Sequence, residues 1–279
     1  MMGNPTGRRG PPDGSAWGDR PLPPDEQTVP RPDSVLPLER RAYATPYESL
    51  TFQMVTRAGR ELTVTLAAQP VFDLARSTPV SRRIRRTVRH SGGERALTGL
   101  GRKALEPADL QRIDLQALHQ GLDMLKLGEN ESGVLPAFWR TVATNRGRFS
   151  LLCTEMQHDR PGVLLVEVMG GLEQASPDAV EAAISHFETR RQGAILHVSP
   201  DIGAVRRLAA VKPRCLSLDF AGVTHDNARD WAQAALLIGA AREASEQVML
   251  LNLRPDRGLA AHQAGATHAV FAGMDVLTV

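Results

Sequence analysis

A chain of 279 residues with 33 basic and 31 acidic side chains carries a formal charge of +2, a near-balance that gives no overall pull toward nucleic acid or a membrane surface. Hydrophobic residues make up 42% and aromatic residues only 4%, so a core has to be built mainly from Ala, Leu, Val and Ile. The length suits one large domain, barrels included, or two small ones.

No apolar run approaches the ~18 residues needed to span a bilayer, and the N-terminal arginines are not followed by an apolar segment, which argues against a secretory signal. Cys153 and Cys215 fall inside apolar runs with no metal-binding spacing and read as buried thiols in a reducing compartment. A cytoplasmic protein is the expectation.

Nine of the 19 prolines lie in the first 40 residues, among Gly, Arg and Asp, and such a segment buries too little apolar surface to offset its ordering entropy. A disordered tail over residues 1–45, its densest part ending near 42, is therefore expected ahead of a domain spanning 46–279. The Pro21–Pro24 stretch is also a candidate proline-rich ligand. Leu50–Val55 and Leu62–Leu74 then read as strands around a turn at Thr56–Gly59. A third extended run, Val80–Arg89, carries arginines at 82, 83, 85, 86 and 89. Alternation puts 83, 85 and 89 on one face and 82 and 86 on the other. An exposed edge strand, charged to block unwanted pairing, is the reading favoured by spacing alone; an anion site is the alternative. Residues 90–107 read as loop. Ala108–Leu127 is helical, with Leu110, Ile113, Ala117, Leu118, Leu122 and Leu125 on one stripe, Pro107 at its start and Gly128 at its end.

Gly133–Trp139 is the next extended run, and Arg140–Met156 a short helix with a break expected at Gly147. From Val163 to Gly222 three apolar runs alternate with two helix-forming segments, the βαβαβ rhythm of parallel strands covered by helices. Ser176 stands where a helix cap is expected, and Asp201 or Pro200 opens the second helix. Each run carries an acid at or just after its C-terminal half: Glu167, Asp201 and Asp219. In parallel α/β folds that end of the strands is where chemistry is placed. A helix over Asn227–Glu246, a strand over Gln247–Leu253, a helix over Pro255–Ala264 and a last strand over Thr267–Ala272 complete the chain. The eight histidines show no metal pattern. His197, on a strand, reads as a satisfied polar residue rather than a ligand, and His225 and Asp226, in a loop before a helix, as residues explained by capping.

Gln69-Pro70-Val71-Phe72-Asp73-Leu74 resembles the QPIVDL opening of EAL domains, the cyclic di-GMP phosphodiesterases. Later segments follow in the same order. Leu165–Val168 resembles the LEIT strand, Ser199–Gly203 sits where the family has DDFG, Leu216–Asp219 where it has LKID, and Gly265–Gly273 resembles the closing GxxxxQGY region. The likeness covers roughly residues 65–275 and implies a TIM-like (β/α)8 barrel of EAL type with an antiparallel first strand. It also implies a site of acidic and amide ligands for two divalent cations, which offset phosphate charge and activate water, with a lysine that helps orient that water.

The chain departs from that site. Ungapped counting puts Arg83-Ile84-Arg85 at the EAL signature, Pro136 or Ala137 at the asparagine, Asp201 alone at the acid pair, Ser217 at the lysine, and Leu251–Pro255 at the AEGVE segment. Only Glu167 and Asp219 match cleanly, and two carboxylates do not hold two cations without further oxygen ligands. The expectation is a degenerate, regulatory pseudoenzyme with no catalytic residues, no cofactor and no metal, which binds a signalling protein. Cyclic di-GMP is a candidate ligand without hydrolysis, held by Arg83 and Arg85. The alternative is a hydrolase of altered chemistry using Glu167, Asp201 and Asp219. Arg83, Arg85, Glu167, Asp201, Ser217 and Asp219 are thus the remnant-site candidates. Arg83 is expected to replace the lost metal by pairing in bidentate fashion with Glu167 or Asp219. Arg86, on the opposite face, is expected in solvent, where its loss costs under about 1 kcal/mol.

Overall fold

The apolar segments pair in strict chain order. The computed structural model describes residues 49–97, 105–127, 131–156, 162–188 and 192–273. The expected tail and its boundary near residue 45 lie outside the described residues, as does Gly128. Strands β1 (Ser49–Val55), β2 (Glu61–Asp73) and β3 (Thr78–His90) form an antiparallel meander. From β3 onward every neighbour is parallel: β4 (Ser132–Phe138), β5 (Val163–Met169), β6 (Gln192–Val198), β7 (Cys215–Asp219), β8 (Gln247–Leu253) and β9 (His268–Phe271). Pairing of Phe72 with Ala269 and Asp73 with His268 then joins β9 back to β2. The result is a closed barrel of β2 to β9, with β2 antiparallel to both neighbours and β1 outside the closure.

The helices lie between successive strands: α1 (Pro107–Leu125), α2 (Trp139–Val142), α3 (Asn145–Met156), α4 (Pro177–Glu188), α5 (Ile202–Leu208), α6 (Ala228–Ala244) and α7 (Gly258–Gln263). The stripe read for α1 is buried along its length. Gly121 brings this helix so close to β4 that an added Cβ would sit 2.4 Å from Leu135 Cδ2. The caps are Ser176, expected as such, Asp201, expected to open its helix, and Asn227, where the sequence pointed to His225 and Asp226. Ser176 Oγ accepts from Ala179 N, Asp201 Oδ1 from Ala204 N and Asn227 Oδ1 from Asp230 N, each satisfying a first-turn amide.

Three expectations are overturned. The break before α3 comes at Ala143–Thr144, earlier than Gly147, because Thr144 Oγ1 accepts the Gly147 amide and starts a new helix there. Cys153 is only partly covered, since the outer side of α3 is open, with Phe149 and Met156 exposed; Cys215 is buried. Most consequential, β3 is not an edge. It lies between β2 and β4, and its two faces bury different arginines. On the helix side Arg86 sits among Ile84 and Val88, ion-paired with Asp114 of α1. Its guanidinium stacks on Phe138 at 3.8 Å. Both side chains are essentially solvent-free. Asp114 also accepts the Phe138 amide at 3.0 Å, so one carboxylate ties α1 to both β3 and β4. Burial pushes the Asp114 carboxyl above its ordinary range, against the pull of Arg86. Spacing identified the opposite face correctly; it could not show that α1 would bring a partner there.

Removing one member of a buried pair leaves the other charge uncompensated. Arg86→Ala is therefore expected to lower unfolding free energy by about 3–5 kcal/mol, read from urea denaturation, instead of the surface-scale loss expected from sequence.

Candidate functional site

Inside the barrel, the alternation of β3, β5, β6 and β7 brings polar side chains to one point. Glu167 of β5 is wholly buried, and Ser217, Gln69 and Arg83 are nearly or fully so. Arg83 Nε donates to Glu167 Oε2 at 2.7 Å, and Arg83 Nη1 donates to Gln69 Oε1 at 3.0 Å. The other carboxylate oxygen accepts from Ser217 Oγ at 2.8 Å. His197 Nδ1 lies 3.1 Å from Ser217 Oγ and 3.4 Å from Glu167 Oε1. A hydroxyl has one proton to give; Ser217 gives it to Glu167, so it accepts from His197, and the imidazole proton sits on Nδ1. The expected pairing of Arg83 with Glu167 is present, with one correction. It is not bidentate, because the guanidinium fork is divided between a carboxylate and the Gln69 amide.

The electrostatics follow from the contacts. Burial alone would raise the Glu167 carboxyl, but Arg83 and His197 override it and hold the group well below its ordinary value of 4.5. Glu167 is thus an anion with both oxygens engaged. Ser217 is fully buried with its proton committed to that anion, so this serine–histidine–glutamate grouping lacks an accessible nucleophile. Nearby Cys215 is no substitute: burial and the Glu167 charge push its thiol up to about 12, far from the thiolate form that reacts.

The remaining candidates disperse. Asp219 Oδ1 accepts from Asn252 Nδ2 at 2.6 Å and from Ala221 N at 2.9 Å. Asp201 is exposed and caps α5. Arg85 lies partly exposed, one step along the face of β3 that carries Arg83. The three carboxylates of the alternative hydrolase are engaged with three different sets of partners. Among the described residues, no three His, Cys, Asp or Glu side chains form a cluster that could hold a metal ion. Sequence reasoning missed Asn252 as a partner for Asp219. It has φ of 56°, a left-handed conformation that Asn tolerates better than most residues, and sequence offers no signal for it. Gln69 was quoted only as part of a motif, and its position opposite Arg83 in the β2–β3 register was the available clue.

At the C-terminal ends of β7, β8 and β9, an open hollow of about 460 Å³ lies between the loops that follow them. Its wall includes Phe220, Thr224, His225, Asn252 and Arg254. Arg254 is ion-paired with Asp226 and Asp256. No described helix is long and apolar enough to cross a membrane.

No protein-family model matches the chain, and no curated protein matches it in sequence. Solved structures do share its fold. The EAL enzyme Bd1971, with cAMP and cyclic di-GMP bound, aligns with a TM-score of 0.56 at 14% identity, over 76% of this chain and 62% of that one. The FimX EAL domain from Pseudomonas aeruginosa bound to cyclic di-GMP aligns with 0.55 at 13% identity, over 75% of this chain and 88% of that one. The Bacillus subtilis YkuI protein, with an EAL domain and in complex with substrate cyclic di-GMP and calcium, aligns with 0.51 at 12% identity, over 73% of this chain and 52% of that one. The chain thus spans about three fifths of Bd1971 and half of YkuI. The architecture is the TIM-like barrel of EAL proteins.

Two consequences are measurable. Arg83→Ala leaves Glu167 buried without its cation and should destabilise the fold by about 3–5 kcal/mol in chemical denaturation. Because the folded-state pKa of Glu167 is depressed, its contribution to stability is complete above 4.5 and is lost as pH falls below that value. In thermal melts taken from neutral to acid pH, Glu167→Gln should start from a lower midpoint and fall less steeply in the acid range than the parent.

Proposed function

We propose that this chain is an EAL-type signalling domain that does not hydrolyse cyclic di-GMP and that acts as a regulatory module through contact with a cytoplasmic signalling protein. The observation that carries this reading is the seating of Arg83 against Glu167. A permanent cation occupies the carboxylate that the family resemblance assigns to metal, and Ser217 fills the other oxygen. With Asp219 engaged by Asn252, the residues present do not fit a pair of divalent cations, which need six or more oxygen ligands each. Without them, neither the developing phosphate charge nor the attacking water is served.

A second reading, a sensor that binds cyclic di-GMP without cleaving it, draws on the hollow at the ends of β7, β8 and β9 and on the cyclic di-GMP bound in the FimX and YkuI structures. Of the two arginines expected to meet phosphate, Arg83 is buried and already engaged, which leaves Arg85 at the partly exposed position. The hollow contributes Arg254, whose two acidic partners would have to yield to a phosphate.

Purified protein incubated with cyclic di-GMP and Mg²⁺ or Mn²⁺ is expected to form no linear dinucleotide. Product formed by the parent and lost in Asp219→Asn would overturn the proposal. Calorimetry with the same ligand, with and without Mg²⁺, separates the two readings: heat of binding that does not depend on metal supports the sensor, and no heat supports the protein-contact module.

A further inference from the structure

The outer edge of β1 is a sheet edge that barrel closure leaves open, and among the described residues no strand pairs with it. Which of its backbone groups face outward follows from the hairpin. Thr56 N donates to Arg60 O, and Gly59 closes the turn with φ of 75°. In the antiparallel register Val55 lies opposite Glu61, yet the Glu61 carbonyl accepts from Ser91 N across β3. Val55 and Glu61 are therefore a non-hydrogen-bonded pair. Alternation along the ladder turns the N–H and C=O of Leu50, Phe52 and Met54 toward β2 and those of Ser49, Thr51, Gln53 and Val55 outward. The Val55 carbonyl confirms the phase, since it accepts from Arg112 Nη1 at 3.1 Å.

Exposed edges are ordinarily protected by charge, proline or a bulge. The β1 sequence SLTFQMV contains no charged residue and no proline, and its register with β2 is continuous from Ser49 to Val55. The chain leading into it carries ten prolines in 48 residues, each without an N–H to donate to a ladder.

We propose that β1 pairs antiparallel with β1 of a second copy of this chain, about a two-fold axis at Thr51. This register uses the outward groups of Ser49, Thr51 and Gln53 and leaves the Arg112-bound carbonyl of Val55 undisturbed. Thr51 faces its own mate, and Ser49 faces the partner's Gln53 on both sides of the axis. Three hydrogen-bonded pairs give roughly six backbone bonds. On the apolar face, where Phe52 and Met54 are buried and Leu50 is partly open, the same register sets Leu50 against the partner's Phe52 in a close, non-hydrogen-bonded pair. The absence of charge makes the strand self-complementary, since an isologous pairing brings no like charges together. The proposal stands apart from the fate of cyclic di-GMP.

Charge exchange at the axis tests it. Full-length protein should sediment as a dimer in analytical ultracentrifugation. Thr51→Lys and Thr51→Glu each place like charges on the two-fold axis, and each should lose the dimer while keeping the thermal midpoint that the parent shows when diluted to monomer, because Thr51 is exposed and its N–H and C=O do not bond to β2. An equimolar mixture of the two variants should restore it. A parent that sediments as a monomer at all concentrations, including one whose β1 edge accepts only some other extended peptide, overturns the proposal. So does a dimer that either variant leaves intact, or a mixture that stays monomeric.

Discussion

A carboxylate with no solvent contact is costly unless every oxygen is met, and Glu167 sets this condition for the whole barrel interior. Its partners come from β3, β6 and β7, and Gln69 of β2 holds Arg83 in turn, so the charge is satisfied only when strands far apart in sequence hold their mutual register. A one-residue slip of β3 would turn Arg83 to the helix side and Arg86 to the interior. The second buried pair, Arg86 with Asp114, fixes the same register from the opposite face. One strand therefore carries two guanidinium groups whose anions lie in different layers, and only one phase of its alternation serves both.

With both oxygens of Glu167 engaged by side chains, the centre of the barrel is tied to the register of its strands. The groups that remain open to solvent are displaced upward, to the loops after β7, β8 and β9, where ionic partners are exposed and loosely coupled. Surface pairs such as those of Arg254 contribute little to stability, whereas the buried pairs below dominate register and specificity.

The parallel half of the barrel was legible because its strands are nearly continuous apolar runs separated by helix-forming segments, and Ser176 announces a cap by residue type and position. The resemblance beginning at Gln69 added what periodicity lacks, the closed order of the strands and the antiparallel β2. What sequence could not supply was the partner of a charge. Arg86 and Arg83 look alike in a run of arginines, and only α1 and β5, brought in by the fold, distinguish a buried pair from a protected edge. Asp201 was misjudged for the converse reason: an acid at a strand end looks the same whether it serves chemistry or a helix N-terminus. Asn252 was invisible because its role depends on a left-handed backbone.

The join between β2 and β9 has a kinetic consequence. It consists of two paired positions and a hydrogen bond from Leu74 N to Thr267 O, and it links segments at nearly opposite ends of the described chain. Every other strand pairs with a neighbour close in sequence, so loop-closure entropy falls most heavily on this seam. The parallel strands can accumulate one after another as an open, curling sheet, and the barrel becomes a cylinder only when the last strand finds the antiparallel one. Completion of the cylinder is thus expected to be the late step in folding.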